Sequence, residues 1–221
     1  MFRFKREQSV VNLAGVRMGG QPGELASVLC GTIFYQGHKI VEDEERGLFD
    51  RAAAEKLVAR QGELSEETGC PSILHIYARS SEAFSRYLDF SEKVWSGPFI
   101  IDSADPATRM AAAALASEQG FADKAVYNSI SLATDEAEAR AIRDSELDSA
   151  IILAYNPTQP GVEGSLAVLE TGGQAREKGL LDSARDMGIN NILIDPAVLP
   201  LGSGAGAALR FSVAAKARLG L

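Results

Sequence analysis

Pro98-Phe99-Ile100-Ile101-Asp102 is an apolar run that ends on a carboxylate, and three further runs in the chain end in the same way on a small polar residue. They are Ala125-Val126-Tyr127-Asn128, Ile151-Ile152-Leu153-Ala154-Tyr155-Asn156 and Asn191-Ile192-Leu193-Ile194-Asp195. The terminal residues fall about 26, 28 and 39 positions apart, close to one or one and a half βα units each. The runs are near-continuously apolar rather than alternating, as parallel strands covered by helices require. A parallel barrel gathers the C-terminal ends of its strands around one mouth, so this spacing places Asp102, Asn128, Asn156 and Asp195 together. Two carboxylates and two carboxamides in a shared mouth suit a planar ligand rich in N–H donors.

Outward from these runs, strand-like and helix-like segments alternate along the chain. Residues 9–18 read as a short hairpin that turns at Ala14-Gly15 and plugs the bottom of a barrel. Residues 27–35 form the first strand, and Asp50 caps a helix running through Ala52, Leu57 and Leu64 toward Gly69. Residues 72–77 form the second strand, followed by a helix over 81–94. After the Asp102 strand, Asp105 is an N-cap with Pro106 at the first helical position, and that helix stops near Gly120. Thr134 caps a helix whose first turn is acidic, with Asp135, Glu136 and Glu138. The fifth strand covers 150–155, and a loop over 156–164 leads into helical sequence reaching Met187. The sixth strand ends at Asp195, and residues 204–219 read as a small-residue helix.

The expected fold is therefore α/β: a TIM-type (β/α) barrel of six βα units with an N-terminal hairpin, occupying residues 1–221 as one domain. A complete eightfold barrel takes ~250 residues. Six units leave two sheet edges bare, which favours a barrel lacking its C-terminal part over an open α/β sheet, and predicts pairing into a homodimer.

Composition narrows the partners. A net charge of −8 and a pI near 4.9 argue against a nucleic-acid backbone or an anionic membrane. No apolar run approaches a membrane span, and Met1-Phe2-Arg3-Phe4-Lys5-Arg6 lacks the apolar core of a signal peptide, so a cytoplasmic location is expected. Cys30 and Cys70 give no disulfide framework, and Cys30, in an apolar strand, reads as a core thiol. A zinc site would need both cysteines together with His38 and His75 from scattered positions, so no metal is expected. Glu42-Asp43-Glu44-Glu45 reads as a solvated loop. Gly202-Ser203-Gly204-Ala205-Gly206 resembles a phosphate cradle but lacks the strand–loop–helix context of one, and reads as a flexible turn before a close-packed helix.

The strand-end residues have plainer roles to weigh against ligand binding. Each carboxylate could cap a helix or fix a loop, but Asp105 already occupies the capping position after Asp102. Asn128 could bond a loop backbone, and Asn156 could start an Asn-Pro turn. A 2-amino-4-oxo pterin presents an exocyclic amine beside a ring N–H, and one ionised carboxylate accepts both. A carboxamide donates and accepts, so an asparagine serves the ring oxygen and nitrogens together. No lysine ends a strand, which argues against Schiff-base chemistry.

These residues fall within a wider likeness. The chain resembles the MtrH subunit of tetrahydromethanopterin S-methyltransferase and its bacterial relatives, the corrinoid-protein:tetrahydrofolate methyltransferases. The likeness runs from Gly15-Val16-Arg17-Met18-Gly19-Gly20-Gln21-Pro22-Gly23-Glu24 through Gly31-Thr32-Ile33-Phe34-Tyr35 and His38-Lys39-Ile40-Val41. It continues through Asp102-Ser103, Tyr127-Asn128-Ser129-Ile130, Asn156-Pro157 and Ile194-Asp195-Pro196. The methyltetrahydrofolate:corrinoid methyltransferases share the Asp-Ser, Asn-Ser and Ile-Asp-Pro strand ends. The resemblance implies catalytic, pterin-binding roles for Asp102, Asn128 and Asp195, with Ser103 and Asn156 in the same pterin site. His75 stands where close relatives are expected to carry an acidic residue, and the wider family's late-strand asparagine near N5 has no match here.

The implied reaction moves a methyl group between a corrinoid (cobalamin) protein and N5 of a tetrahydropterin, with tetrahydrofolate expected ahead of tetrahydromethanopterin. The corrinoid comes on a partner protein. Two rival readings are a dihydropteroate-synthase-like pterin enzyme, which needs a basic site for pyrophosphate, and a non-catalytic subunit that docks a corrinoid protein.

Overall fold

The computed structural model describes residues 2–202 and 204–221. The chain opens with an antiparallel hairpin, β1 (Val10–Leu13) and β2 (Val16–Gly19), turning at Ala14-Gly15 as expected. Six parallel strands follow: β3 (Leu29–Ile33), β6 (Ser72–Tyr77), β7 (Phe99–Asp102), β8 (Ala125–Ile130), β9 (Ser149–Leu153) and β10 (Asn191–Asp195). They lie side by side in the order β10-β9-β8-β7-β6-β3, so each strand after β3 adds next to its predecessor. A second hairpin, β4 (Val41–Asp43) and β5 (Leu48–Phe49), falls between β3 and β6. The helices are α1 (Arg51–Thr68), α2 (Ser81–Val94), α3 (Pro106–Glu118), α4 (Glu136–Asp144), α5 (Val162–Thr171), α6 (Leu180–Asp186) and α7 (Ala205–Leu219). This is the expected mixed α/β fold with a parallel sheet of barrel type. Among the described residues, no helix is long and apolar enough to cross a membrane.

Alternation along the strands sorts their side chains between two cores. Toward the helices, Leu74, Ile76, Ile101, Tyr127, Ala150 and Ile152 pack with buried residues of α2, α3 and α5. On the other face, Ile73, Ile100 and Val126 pack against Leu13 of the hairpin, with Val11, Val16 and Met18 beside it. The hairpin thus closes the inner face of the sheet at its lower end. It is tied to α7 through Ser9 N donating to Gly220 O (2.6 Å) and Lys216 Nζ donating to Gly20 O (3.2 Å).

Several local expectations are corrected. Cys30 is exposed rather than a core thiol: β3 is an edge strand, paired only with β6 among the described residues. The helix capped by Asp50 runs to Gly69 as expected, with Ala54 and Val58 buried and Leu57 and Leu64 facing solvent. The cap of α4 is Asp135, whose carboxylate accepts from Glu138 N (2.8 Å), while Thr134 Oγ1 accepts from Ser131 N one turn earlier. The helical stretch before Met187 is two helices, broken at Gly172, where a Cβ would lie 2.5 Å from Arg176 O and φ is +82°. The acidic run is no plain solvated loop: β4 takes part of it, Asp43 Oδ1 accepts from Glu45 N and Arg46 N, and Glu45 pairs with Arg79. In the Gly202–Gly206 stretch, Ser203 lies outside the described residues, and α7 begins at Ala205 with no side-chain cap.

One polar cluster is buried between α3, α4 and the sheet. Glu138, only 2% exposed, accepts from Arg109 Nε (3.1 Å) and Nη2 (2.5 Å) and from Tyr127 OH (2.5 Å), all at Oε1. Arg109 Nη1 also donates to Ser103 O (2.7 Å), which anchors the turn leaving β7. Burial works to lower the Arg109 pKa, but its bonds to Glu138 and Tyr127 outweigh that and hold it above its ordinary value. Burial, and then the bond to Glu138, push the Tyr127 hydroxyl well above its usual range.

Two stability outcomes follow from this packing, both read by urea denaturation. Leu13→Ala removes the floor of the inner face and is expected to destabilise the fold by ~2–5 kcal/mol, as truncation of a buried leucine does. Glu138→Ala leaves the Arg109 guanidinium buried without its partner and is expected to cost about 3–5 kcal/mol.

Candidate functional site

Strand register decides which side chains meet at the C-terminal end of the sheet. Tyr77, Asp102, Asn128 and Ile151 stand opposite one another across four neighbouring strands, and Asp195 stands opposite Leu153. Ile151 and Leu153 are two residues apart and so share a face, which puts Asp102, Asn128 and Asp195 on the same inner side. Asp102 and Asn128 sit on adjacent strands, about 4.8 Å apart between backbones. Asp195 is two strands beyond Asn128 and one pleat higher. A bulge follows Asn128, where Asn128 and Ile130 face consecutive residues Ile151 and Ile152 of β9. Such an irregularity locally redirects side chains at a strand end.

The three residues differ in how far the protein uses them. Asp102 is partly buried, and its Oδ2 lies 3.0 Å from His75 Nε2. His75 Nδ1 in turn lies 2.9 Å from Thr32 Oγ1. Asp195 spends Oδ1 on Ala197 N (2.7 Å), a contact that fixes its own exit turn. Among the described residues, Asp102 Oδ1, Asp195 Oδ2 and the Asn128 carboxamide meet no hydrogen-bonding partner. The site therefore presents carboxylate oxygens and one donor–acceptor amide, all half-buried.

Asn156 and Ser103 lie nearby but are engaged differently. Asn156 is buried at 2% exposure and lies beyond the end of β9. Its Oδ1 accepts from Thr158 N (3.1 Å), Thr158 Oγ1 (2.8 Å) and Gln159 N (3.1 Å), and its Nδ2 reaches Gly164 O at 3.5 Å. The carboxamide is turned onto its own loop, the plainer role of starting an Asn-Pro turn. Ser103 is also buried, with Oγ accepting from Asp105 N at 3.2 Å. Asp105 caps α3 as expected, and its bond from the Thr108 hydroxyl, followed by those from backbone N–H groups, holds its carboxyl below the usual carboxylate range.

Two clefts flank these strand ends. One of about 350 Å³ is lined by Glu45, Tyr77, Arg79, Ser103, Ala104 and Asp105. The other, about 170 Å³, lies between the loops after β9 and β10 and includes Tyr155, Asn156 and Ala197. Three arginines near the strand ends are committed to the fold. Arg79 Nε donates to Glu45 (2.5 Å), Arg109 is held by Glu138, and Arg176 donates to the carbonyls of Ser131 (3.3 Å) and Thr134 (2.6 Å). Among the described residues, no group of three or more His, Cys, Asp or Glu residues could hold a metal ion.

The sequence reading missed the Thr32–His75–Asp102 contacts and the anchoring of Ser103 by Arg109. A signal for the first was present: Thr32 and His75 each interrupt an apolar strand with a polar side chain. Pairing them needed the register.

This arrangement can accept hydrogen bonds from a flat, N–H-rich heterocycle laid across the strand ends. Comparison with known proteins gives the chain a family. Residues 6–221 match the family described as the tetrahydromethanopterin S-methyltransferase MtrH subunit. The chain is 49% identical over 220 residues to the tetrahydromethanopterin S-methyltransferase H subunit of Methanocaldococcus jannaschii, covering 100% of this chain and 69% of that protein. It is 50% identical over 220 residues to the H subunit of the putative methyltransferase mtx of Methanosarcina mazei, covering 100% of this chain and 71% of the relative. Against the tetrahydromethanopterin S-methyltransferase H subunit of Methanothermobacter marburgensis the identity is 47% over 220 residues, with 100% and 71% covered. With the match spanning nearly every residue, the chain belongs to the MtrH-subunit family of methyltransferases.

Proposed function

We propose that this chain is a cytoplasmic methyltransferase that moves a methyl group between N5 of a tetrahydropterin and the cobalt of a corrinoid carried by a separate protein. The observation that carries this reading is the presence of Asp102, Asn128 and Asp195 on one face, each with polar atoms not used by the fold. One carboxylate takes the exocyclic amine and the adjacent ring N–H as two charge-assisted bonds. Asn128 serves the ring oxygen and nitrogens, and the second carboxylate holds the far side of the ring. Ser103 lies at the turn between Asp102 and the larger cleft, and Asn156 builds the loop beside the smaller one.

In the direction toward the pterin, the N5 lone pair forms the new N–C bond. The electron pair of the Co–C bond stays on cobalt, and the N5 proton leaves to solvent. In the reverse direction N5 must gain a hydrogen bond or a proton to depart. The residues here act by orienting the ring, and fixing N5 in line with the methyl group supplies most of the acceleration. The engaged state of Arg79, Arg109 and Arg176 takes these three cations away from a pyrophosphate-handling rival. A pure docking module has no use for three unengaged polar groups at the strand ends. The edges β3 and β10, each paired on one side among the described residues, are the surfaces where a second copy would join as a homodimer.

The proposed contacts lie on the pterin head that tetrahydrofolate and tetrahydromethanopterin share. The sequence reading expects the former and the names of the relatives favour the latter, so both belong in the test. Calorimetric titration is expected to show one site per chain without added metal. Asp102→Ala and Asp195→Ala are each expected to weaken binding by roughly ten- to a hundredfold, or about 1.5–3 kcal/mol, with melting unchanged. Failure of both pterins to bind at millimolar concentration would end this reading. Unchanged affinity in both variants would return the two residues to fixing loops.

A further inference from the structure

The inner face of β6 carries an imidazole that the pterin reading does not use. Register sets Thr32 of β3 directly opposite His75, while Asp102 of β7 stands opposite Tyr77, one pleat nearer the strand ends. The contacts of 2.9 Å from Thr32 Oγ1 to His75 Nδ1 and 3.0 Å from His75 Nε2 to Asp102 Oδ2 therefore climb diagonally across three strands. This relay starts at the sheet edge and ends on a residue of the site.

Hydrogen-bond chemistry assigns the protons. An ionised carboxylate only accepts, so Nε2 carries the hydrogen that faces Asp102. A neutral ring then has Nδ1 as its acceptor, and the Thr32 hydroxyl donates to it. One tautomer satisfies all three groups and leaves Asp102 Oδ1 free among the described residues. The terminal torsion of an aspartate is broad, so a carboxylate without such a bond samples many orientations. A ligand that needs one orientation loses affinity by having to select it.

Resting on the reading that Asp102 binds a pterin, we infer that His75 is a positioning residue for that carboxylate, and that Thr32, bonded to Nδ1, holds the imidazole ring in the orientation that reaches it. The Nε2–H bond pins Oδ2 and turns Oδ1 toward the ligand, while the imidazole itself touches no part of it. Without the Thr32 hydroxyl, Nδ1 loses its partner and the ring is free to turn about its broad terminal torsion away from Asp102. An edge-strand hydroxyl with no ligand contact thereby controls affinity.

The test measures affinity for tetrahydrofolate and tetrahydromethanopterin by calorimetry, with melting curves and imidazole nitrogen chemical shifts in parallel. His75→Leu is expected to weaken binding roughly tenfold, the loss of about one hydrogen bond to a charged group. His75→Gln is expected to stay close to wild type, because its carboxamide N–H still donates to Asp102. Thr32→Val is expected to weaken binding only while His75 is present, so the Thr32→Val, His75→Gln double variant matches His75→Gln alone. Thr32→Ser, which keeps the hydroxyl, is expected to be silent. The wild-type ring is expected to be the Nε2–H tautomer.

A loss of affinity in Asp102→Ala with none in His75→Leu would overturn the inference while leaving the pterin reading intact. So would a Thr32→Val effect that persists in the His75→Gln background. If neither pterin binds the wild type, the pterin reading fails and the nitrogen shifts decide the relay alone. An Nδ1–H ring in the wild type would then overturn it, and an Nε2–H ring whose nitrogen shifts change in Asp102→Ala would support it.

Discussion

The two-residue period of a parallel strand, locked in register with its neighbours, is the constraint on which the rest of this protein depends. It sends Leu74, Ile76, Ile101 and Tyr127 toward the helices and Ile73, His75, Ile100, Asp102, Val126 and Asn128 to the other side. A slip of one residue in β7 would bury Asp102 against the helix layer and turn Ile101 toward the site. Both changes are costly, since a carboxylate would lose water without a partner and an isoleucine would lose its core. Hydrophobic burial on the helix side thus enforces the polar geometry on the inner side.

The inner face is graded along its length. Its lower end is apolar and closed by Leu13 and its hairpin neighbours, while its upper end carries Asp102, Asn128 and Asp195. The grading separates the apolar contacts that hold the sheet from the polar groups at the strand ends. Apolar contacts at the floor hold the sheet without needing the strand ends. The strand-end groups can therefore keep hydrogen-bonding capacity unspent. Asn128 is the clearest case, half-buried between neighbours yet with no partner among the described residues.

Charge is handled by local commitment. Arg109 lies close behind the Asp102-Ser103 turn, yet its guanidinium is taken up by Glu138 and by the Ser103 carbonyl. Arg176 is spent on carbonyls of the loop after β8, and Arg79 on the acidic turn after β4. These pairings stiffen the loops around the strand ends and leave the local balance of free groups on the side of acceptors. A site of that character favours N–H donors over anions.

Much of this was legible in the sequence because it rests on local physics. Apolar runs of strand length ending in Asp or Asn, the Asp50 and Asp105 caps, Pro106 at a first helical turn and the Ala14-Gly15 hairpin each follow from neighbours a few residues apart. Together they determined the parallel α/β architecture, the order of its units and the candidate residues Asp102, Asn128 and Asp195. What spans the sheet was decided only by the tertiary structure. That Cys30 is exposed follows from β3 having a neighbour on one side alone among the described residues, and that Asn156 is turned inward follows from how its loop closes on Gly164. The Thr32–His75–Asp102 relay joins residues 43 and 27 positions apart, and Arg109 meets Glu138 across 29. Such contacts depend on register and on which helix packs over which strand, and no pattern within a single segment carries that information.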